Sequence, residues 1–164
     1  MVLYAETFNE SKRLADRYKD WWEQKLNEFF PDHEMKWVKD GGPEDLAGYD
    51  VLIYFPDWTC RLELKTRPFW NSEIRDVLVE TDNKHVERNE GRGWLKTSQC
   101  DYIAFGYPQR DEWLLYRFED LREEVLYRMD NGQLDYQSPF GDEVTRCVIV
   151  PLEYIEEHKI GGNV

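Results

Sequence analysis

Two short apolar runs joined by a tight turn constrain this chain more than any other feature. Residues 50–55 (DVLIYF) and 60–66 (CRLELKT) are of strand length, and Pro56-Asp57-Trp58 lies between them. Such runs bounded by turn residues predict an antiparallel hairpin. On a strand the side chains alternate, so Leu62 and Leu64 take one face while Glu63 and Lys65 share the other. The hairpin brings Asp50, at the start of its first strand, close to the Glu63–Lys65 end.

The rest of the chain is read around this hairpin. Residues 7–30 predict one amphipathic helix, with Leu14, Tyr18, Trp22, Leu26 and Phe29 recurring at helical spacing until Pro31-Asp32 stops it. Residues 35–38 predict a short strand before the turn Asp40-Gly41-Gly42-Pro43, and 76–81 (DVLVET) predict a third strong strand. A short helix is expected over 94–99. A second hairpin is expected from 101–107 and 112–118 across Pro108-Gln109-Arg110-Asp111. A surface helix over 119–129 should end at Asn131-Gly132, and a strand over 144–150 should lead into a last helix over 151–158, with Pro151 in its first turn. A helix, a run of strands and then alternation imply an α/β fold, a mixed sheet flanked by helices. With 164 residues and no linker or repeat, residues 1–164 are expected to form one domain.

Asp50, Glu63 and Lys65 together make two carboxylates and an ammonium around one point. Hard divalent cations take such oxygen ligands, and Mg²⁺ commonly binds one or two carboxylates while keeping several waters. A metal held by Asp50 and Glu63 could activate water and relieve charge on a phosphoryl group. Lys65 could orient that water or contact the phosphate. Taken alone, Glu63 and Lys65 could equally be an exposed cross-strand ion pair.

This pattern, Asp-x(12)-Glu-x-Lys after an amphipathic helix, resembles the PD-(D/E)xK nucleases, which share the restriction-endonuclease-like fold. Glu80, closing the strand after Asp76-Val77-Leu78-Val79, is similar to the extra acid of phage and RecB-like members. The segment from Gly93 through Thr97, Ser98, Cys100, Asp101 and Tyr102 resembles a pattern of resolvase-like and phage-encoded members, with Cys100 where a small residue is usual. Glu23, in Glu23-x-x-Leu26-x-x-Phe29, is similar to the first-helix glutamate that faces the metal in some members. Tyr49 departs from the family by standing where the motif's proline would be. The resemblance implies a restriction-endonuclease-like fold, Mg²⁺ or Mn²⁺ as cofactor and a nucleic-acid substrate, DNA above RNA. It implies a metal set of Asp50, Glu63 and Glu80 with the intervening Leu64, catalytic roles for Asp50, Glu63, Lys65 and Glu80, and additional candidates in Glu23, Lys96, Thr97 and Ser98.

Composition tempers that expectation. The net charge of −13 is unlike the basic footprint usual for nucleic-acid binders. It favours the alternative of a catalytically silent nuclease-fold protein that works by protein binding or as an acidic DNA mimic. Lys84, Arg88, Arg92 and Lys96 recur every fourth residue and are the best candidates for phosphate contacts, although Gly91 and Gly93 argue for a loop. Trp58 and Trp70 could stack on unpaired bases, and Thr97 and Ser98 could cap the short helix. His33, His85 and His158 lie too far apart in sequence for a metal motif and read as structural. The three cysteines, with no CxxC pair, argue against a disulfide framework or a cysteine zinc site. No apolar stretch is long enough to span a bilayer, no secretory signal is visible, and a cytoplasmic protein is expected. Monomer and homodimer both remain open.

Overall fold

The computed structural model describes residues 16–67, 76–83, 91–138 and 145–164. The start of the first expected helix (7–15), Trp70, Lys84, His85, Arg88 and Val144 lie outside the described residues.

The described chain runs α1 (Lys19–Phe29), β1 (Glu34–Trp37), α2 (Pro43–Leu46), β2 (Val51–Tyr54), β3 (Thr59–Thr66), β4 (Asp76–Asn83), α3 (Trp94–Thr97), β5 (Tyr102–Tyr107), β6 (Glu112–Arg117), α4 (Phe118–Asp130), β7 (Asp135–Gln137), β8 (Thr145–Pro151) and β9 (Lys159–Gly162). A six-stranded sheet has the order β1-β2-β3-β5-β6-β9. Only its β3–β5 pair is parallel, with Leu62 beside Tyr102 and Lys65 beside Phe105. The expected α/β fold with a mixed sheet and flanking helices is therefore present. Beside it stands a second, antiparallel sheet ordered β4-β8-β7, which takes in the strand that begins at Asp76.

The central sheet is buried on both faces, which explains why β5 is apolar throughout rather than alternating. Against one face, α1 sets Trp22 and Leu26 on Val51, Ile53, Cys60, Leu62 and Ala104. Against the other, Val77 and Val79 of β4, Val148 and Val150 of β8 and Leu121 and Val125 of α4 join Ile103, Phe105 and Tyr116. Gly106 is required where α1 crosses β5, because a Cβ there would lie 2.4 Å from the Trp22 ring. Lys25, though buried, is paired with Asp111 at 2.8 Å, and the Trp21 indole donates to the same carboxylate, tying α1 to the β5–β6 turn.

The expected helix over 151–158 is not formed. Pro151 continues β8 opposite Asp76, and two 3₁₀ turns follow, Leu152–Tyr154 and Glu156–His158. Strand pairing takes Pro151 before it can start a helix, and burial of Ile155 separates the two turns. The chain then returns as β9 along β6.

Candidate active site

The β2–β3 hairpin places the central residues as the alternation requires. Val51 lies opposite Leu62, and the Asp50 N–H donates to the Leu62 carbonyl at 2.8 Å, so Asp50 continues the register opposite Glu63. Its Oδ2 accepts the Leu64 N–H at 2.7 Å. Glu63 and Lys65 lie on the sheet face away from α1; Glu63 is only 6% exposed, and its carboxylate accepts from the Lys65 ammonium. Glu63 is buried and Lys65 only half-buried, so the pair is not a fully exposed surface ion pair. The Lys65 Nζ also lies 5.1 Å from the centroid of the Trp94 ring.

The electrostatics follow from this crowding. Burial, then the neighbouring Glu63 charge, push the Asp50 carboxyl up to about 8, against the opposing pull of Lys65 and the Leu64 N–H. For Lys65, burial favours the neutral amine, but Glu63, Asp50 and Glu80 outweigh it and hold the ammonium firmly protonated. Two acids brought this close, one of them pushed toward its neutral form, are the condition a bound cation relieves. The donor set is oxygen from carboxylates, which suits Mg²⁺ or Mn²⁺.

Glu80 approaches from the second sheet. The Trp94 N–H donates to its Oε1 at 3.3 Å, and it stands just before a register shift in the β4–β8 pairing. Bulges of this kind re-aim side chains. Gly93 permits the approach, since a Cβ there would lie 2.7 Å from the Glu80 carbonyl oxygen.

The loop that presents Asp50 is fastened to the segment after α3. The Ser98 hydroxyl donates to the Gly48 carbonyl at 2.5 Å, and the Gln99 N–H donates to the Ala47 carbonyl at 2.8 Å. Gly48 has φ +85°, and its close contact with Ser98 leaves no room for a Cβ. Ser98 is buried and positions the Asp50 loop, a role that no spacing in the sequence signalled. The Thr97 hydroxyl, at the end of α3, donates back to the Gly93 carbonyl one turn earlier at 3.1 Å. Lys96 pairs with Asp82 at 3.4 Å at the edge of this region.

Glu23 does not join the cluster. It is exposed on α1, which packs on the opposite face of the sheet from Glu63. The expected basic stripe can be followed only at Arg92 and Lys96. His158, expected to be structural, meets Glu124 at 3.4 Å and Glu157 at 3.6 Å. These three form the only trio of acid, thiol or imidazole groups among the described residues with ligand atoms mutually within 4.8 Å. The Asp50, Glu63 and Glu80 oxygens are thus spread more widely than that. Arg128 already pairs with Glu124 at 2.6 Å, so the His158 trio is a compensated surface network. Cys60, Cys100 and Cys147 are all buried. No helix among the described residues is long and apolar enough to cross a membrane.

No protein-family model and no curated protein sequence matches the chain. Among solved structures it is similar to a bacterial homing endonuclease, I-Ssp6803I, at 9% identity and TM-score 0.39, covering 69% of this chain and 67% of that one. It is also similar to D212, a nuclease from a fusselovirus, at 11% identity and TM-score 0.39, covering 94% of this chain and 88% of that one. Likeness this distant says nothing about what the chain binds or cuts.

Proposed function

We propose that the chain is a divalent-metal-dependent nuclease, a single domain of the PD-(D/E)xK type that hydrolyses phosphodiester bonds of DNA. The observation that carries this reading is the Asp50–Glu63–Lys65 cluster: two acids facing each other across a hairpin, Glu63 buried, with one half-buried ammonium between sheet and α3. A structural ion pair needs one acid, and the second costs stability unless a cation joins it. Asp50 and Glu63 would hold Mg²⁺ or Mn²⁺, with Glu80 as the added acid. When bound, the metal would supply Lewis-acid stabilisation of the phosphoryl oxygens and a more acidic water.

The chain's own groups do the rest. The Leu64 N–H fixes the Asp50 carboxylate, and Ser98 with Gly48 fixes the loop behind it. Lys65, protonated and held against the Trp94 ring, supplies positive charge to an incoming phosphate rather than acting as a base. The net charge of −13 supports a second reading, a silent nuclease-fold protein acting as an acidic mimic. Against it, Glu63 is buried, whereas a mimic needs its charges exposed.

The test is a cleavage panel of single-stranded, duplex and branched DNA and RNA at low salt with Mg²⁺ and with Mn²⁺. Low salt matters because phosphate contacts on so acidic a protein are easily screened. Metal-dependent cleavage lost in Asp50→Ala and Glu63→Ala, and reduced in Glu80→Ala, supports the nuclease. Cleavage unchanged in Glu63→Ala, or no cleavage of any substrate, refutes it.

A further inference from the structure

A cleft of about 720 Å³ opens beside this cluster, between α3 and the segment after it, the turn of the β2–β3 hairpin and the start of α4. Its lining inverts the charge of the molecule. Arg61, Lys96, Arg117 and Arg122 face it against only Asp101 and Glu119, in a chain whose net charge is −13. Locally concentrated positive charge on an acidic protein is what a polyanion would need to approach it.

These cations differ in their freedom. Arg61 is committed: its backbone and guanidinium make three hydrogen bonds to Asp101, at 2.8, 3.1 and 2.8 Å. Arg117 is 63% exposed, and its nearest carboxylate, Asp120, is 4.0 Å away. Arg122 pairs with Glu119 through one terminal nitrogen and lies over the Phe118 ring at 4.8 Å, while its buried Nε has no hydrogen-bond partner among the described residues. Among the described residues Lys96 is held by the single 3.4 Å contact to Asp82. Three of the four thus keep donors available to phosphate oxygens.

Trp58 closes the cleft at the hairpin turn. One indole face is stacked on Phe55, at 4.6 Å between centroids and 6° between planes, yet the residue remains 47% exposed. An indole backed on one face by Phe55, with Tyr102 tilted beside it at 6.4 Å between centroids, and still half-exposed, is a stacking platform, and any base offers a π-face to it. A duplex keeps its bases stacked inside, so this platform can serve only an unpaired base.

The cleft is also in line with the cluster. Arg61, Glu63 and Lys65 follow one another at every second position of β3, so all three share one face of the strand. On the other wall, Lys96 and Thr97 line the cleft from α3, whose Trp94 lies against Lys65.

The geometry points to this cleft as the site for an unpaired nucleic-acid strand, a base stacked on Trp58 and its phosphates carried by Arg117, Arg122 and Lys96 toward Lys65. The inference rests on the nuclease reading and names its substrate class: single-stranded or locally unpaired nucleic acid rather than intact duplex.

The experiment is fluorescence anisotropy at low salt in EDTA, which prevents cleavage, using a labelled oligo(dT) of about 12 nucleotides and a duplex of equal length. The expected result is preferential binding of the single strand, weakened roughly 5- to 150-fold in Trp58→Ala and largely restored in Trp58→Phe. Arg117→Ala should lower the slope of log K against log salt by about 0.7. Thermal melts of each variant separate loss of binding from loss of fold, and Trp58→Phe keeps the test open if Trp58→Ala melts early. Failure to bind the oligo(dT), equal binding of duplex, or unchanged binding in both Trp58→Ala and Arg117→Ala overturns the assignment. Cleavage of single strands that is indifferent to Trp58 and Arg117 leaves the nuclease standing and removes the cleft. Trp58-dependent binding without cleavage under Mg²⁺ or Mn²⁺ does the reverse.

Discussion

Asp50→Asn should flatten the pH dependence of stability of the metal-free protein. The Asp50 carboxyl ordinarily titrates near 3.8 but in the fold is pushed to about 8, by burial first and then by Glu63. A group whose folded value is raised stabilises the fold fully below its unfolded value and loses that contribution as pH rises through the folded one. Stability should therefore erode from about pH 4 to about pH 8, as folding resists a charge that the unfolded chain accepts freely. Each pH step of one within that window is worth at most a tenfold change in the folding equilibrium. Asp50 retains some solvent contact, and solvent screening keeps the change below the full tenfold per step. A loss of about 2–3 kcal/mol is expected between pH 5 and pH 8. Asparagine removes the titration while its carbonyl can still accept the Leu64 N–H. Urea unfolding in EDTA at pH 5, 6.5 and 8 measures it, and the difference between wild type and variant cancels the background from all other acids. Wild type should lose stability relative to Asp50→Asn as pH rises, and Mg²⁺ should shrink the gap by binding the ionised native state. Parallel curves for the two proteins would show that the Asp50 carboxyl is not raised in the fold.

Lys65→Met leaves Glu63, buried beside Asp50, without its ammonium. Metal-free stability should fall by about 3 kcal/mol, with partial recovery in Mg²⁺, as read by thermal melting. Gly48→Ala combines positive φ with a clash at Ser98. It should cost about 1–3 kcal/mol in urea unfolding, with cleavage falling further than stability accounts for because the Asp50 loop shifts. Leu26 is in the core on the face away from the cluster. Leu26→Ala should cost about 2–5 kcal/mol in urea unfolding while per-molecule cleavage of the folded fraction is unchanged.

The part of the fold legible in the sequence is the part set by local pattern. Alternation through Leu62-Glu63-Leu64-Lys65 and a short turn were enough to place Asp50 opposite Glu63, because hairpin register depends on neighbours in the chain. The β5–β6 hairpin and α4 were legible for the same reason. Three-residue β7 offers no period to detect, and β9 carries Gly161 and Gly162, poor strand formers that fit because Phe29 packs where a Gly161 Cβ would be. Both exist through pairing with strands already in place. Pro151 suits a helix start by residue type, yet its partner across the sheet, Asp76, keeps it in β8. At the site, Glu80 was legible as an acid on a strand, but its arrival beside Lys65 depends on how the second sheet packs. The Ser98–Gly48 lock and the cleft cations Arg117 and Arg122 join segments far apart in the chain, and no spacing rule reaches them.

Anomalous diffraction from Mn²⁺-soaked crystals decides whether Asp50 and Glu63 hold a divalent cation. The expected result is an anomalous peak bonded to oxygens of both residues, at about 2.0–2.6 Å, and lost in Glu63→Gln. A peak at Glu124, Glu157 and His158 instead, or none at millimolar Mn²⁺ with the Asp50 and Glu63 side chains well ordered, would contradict it.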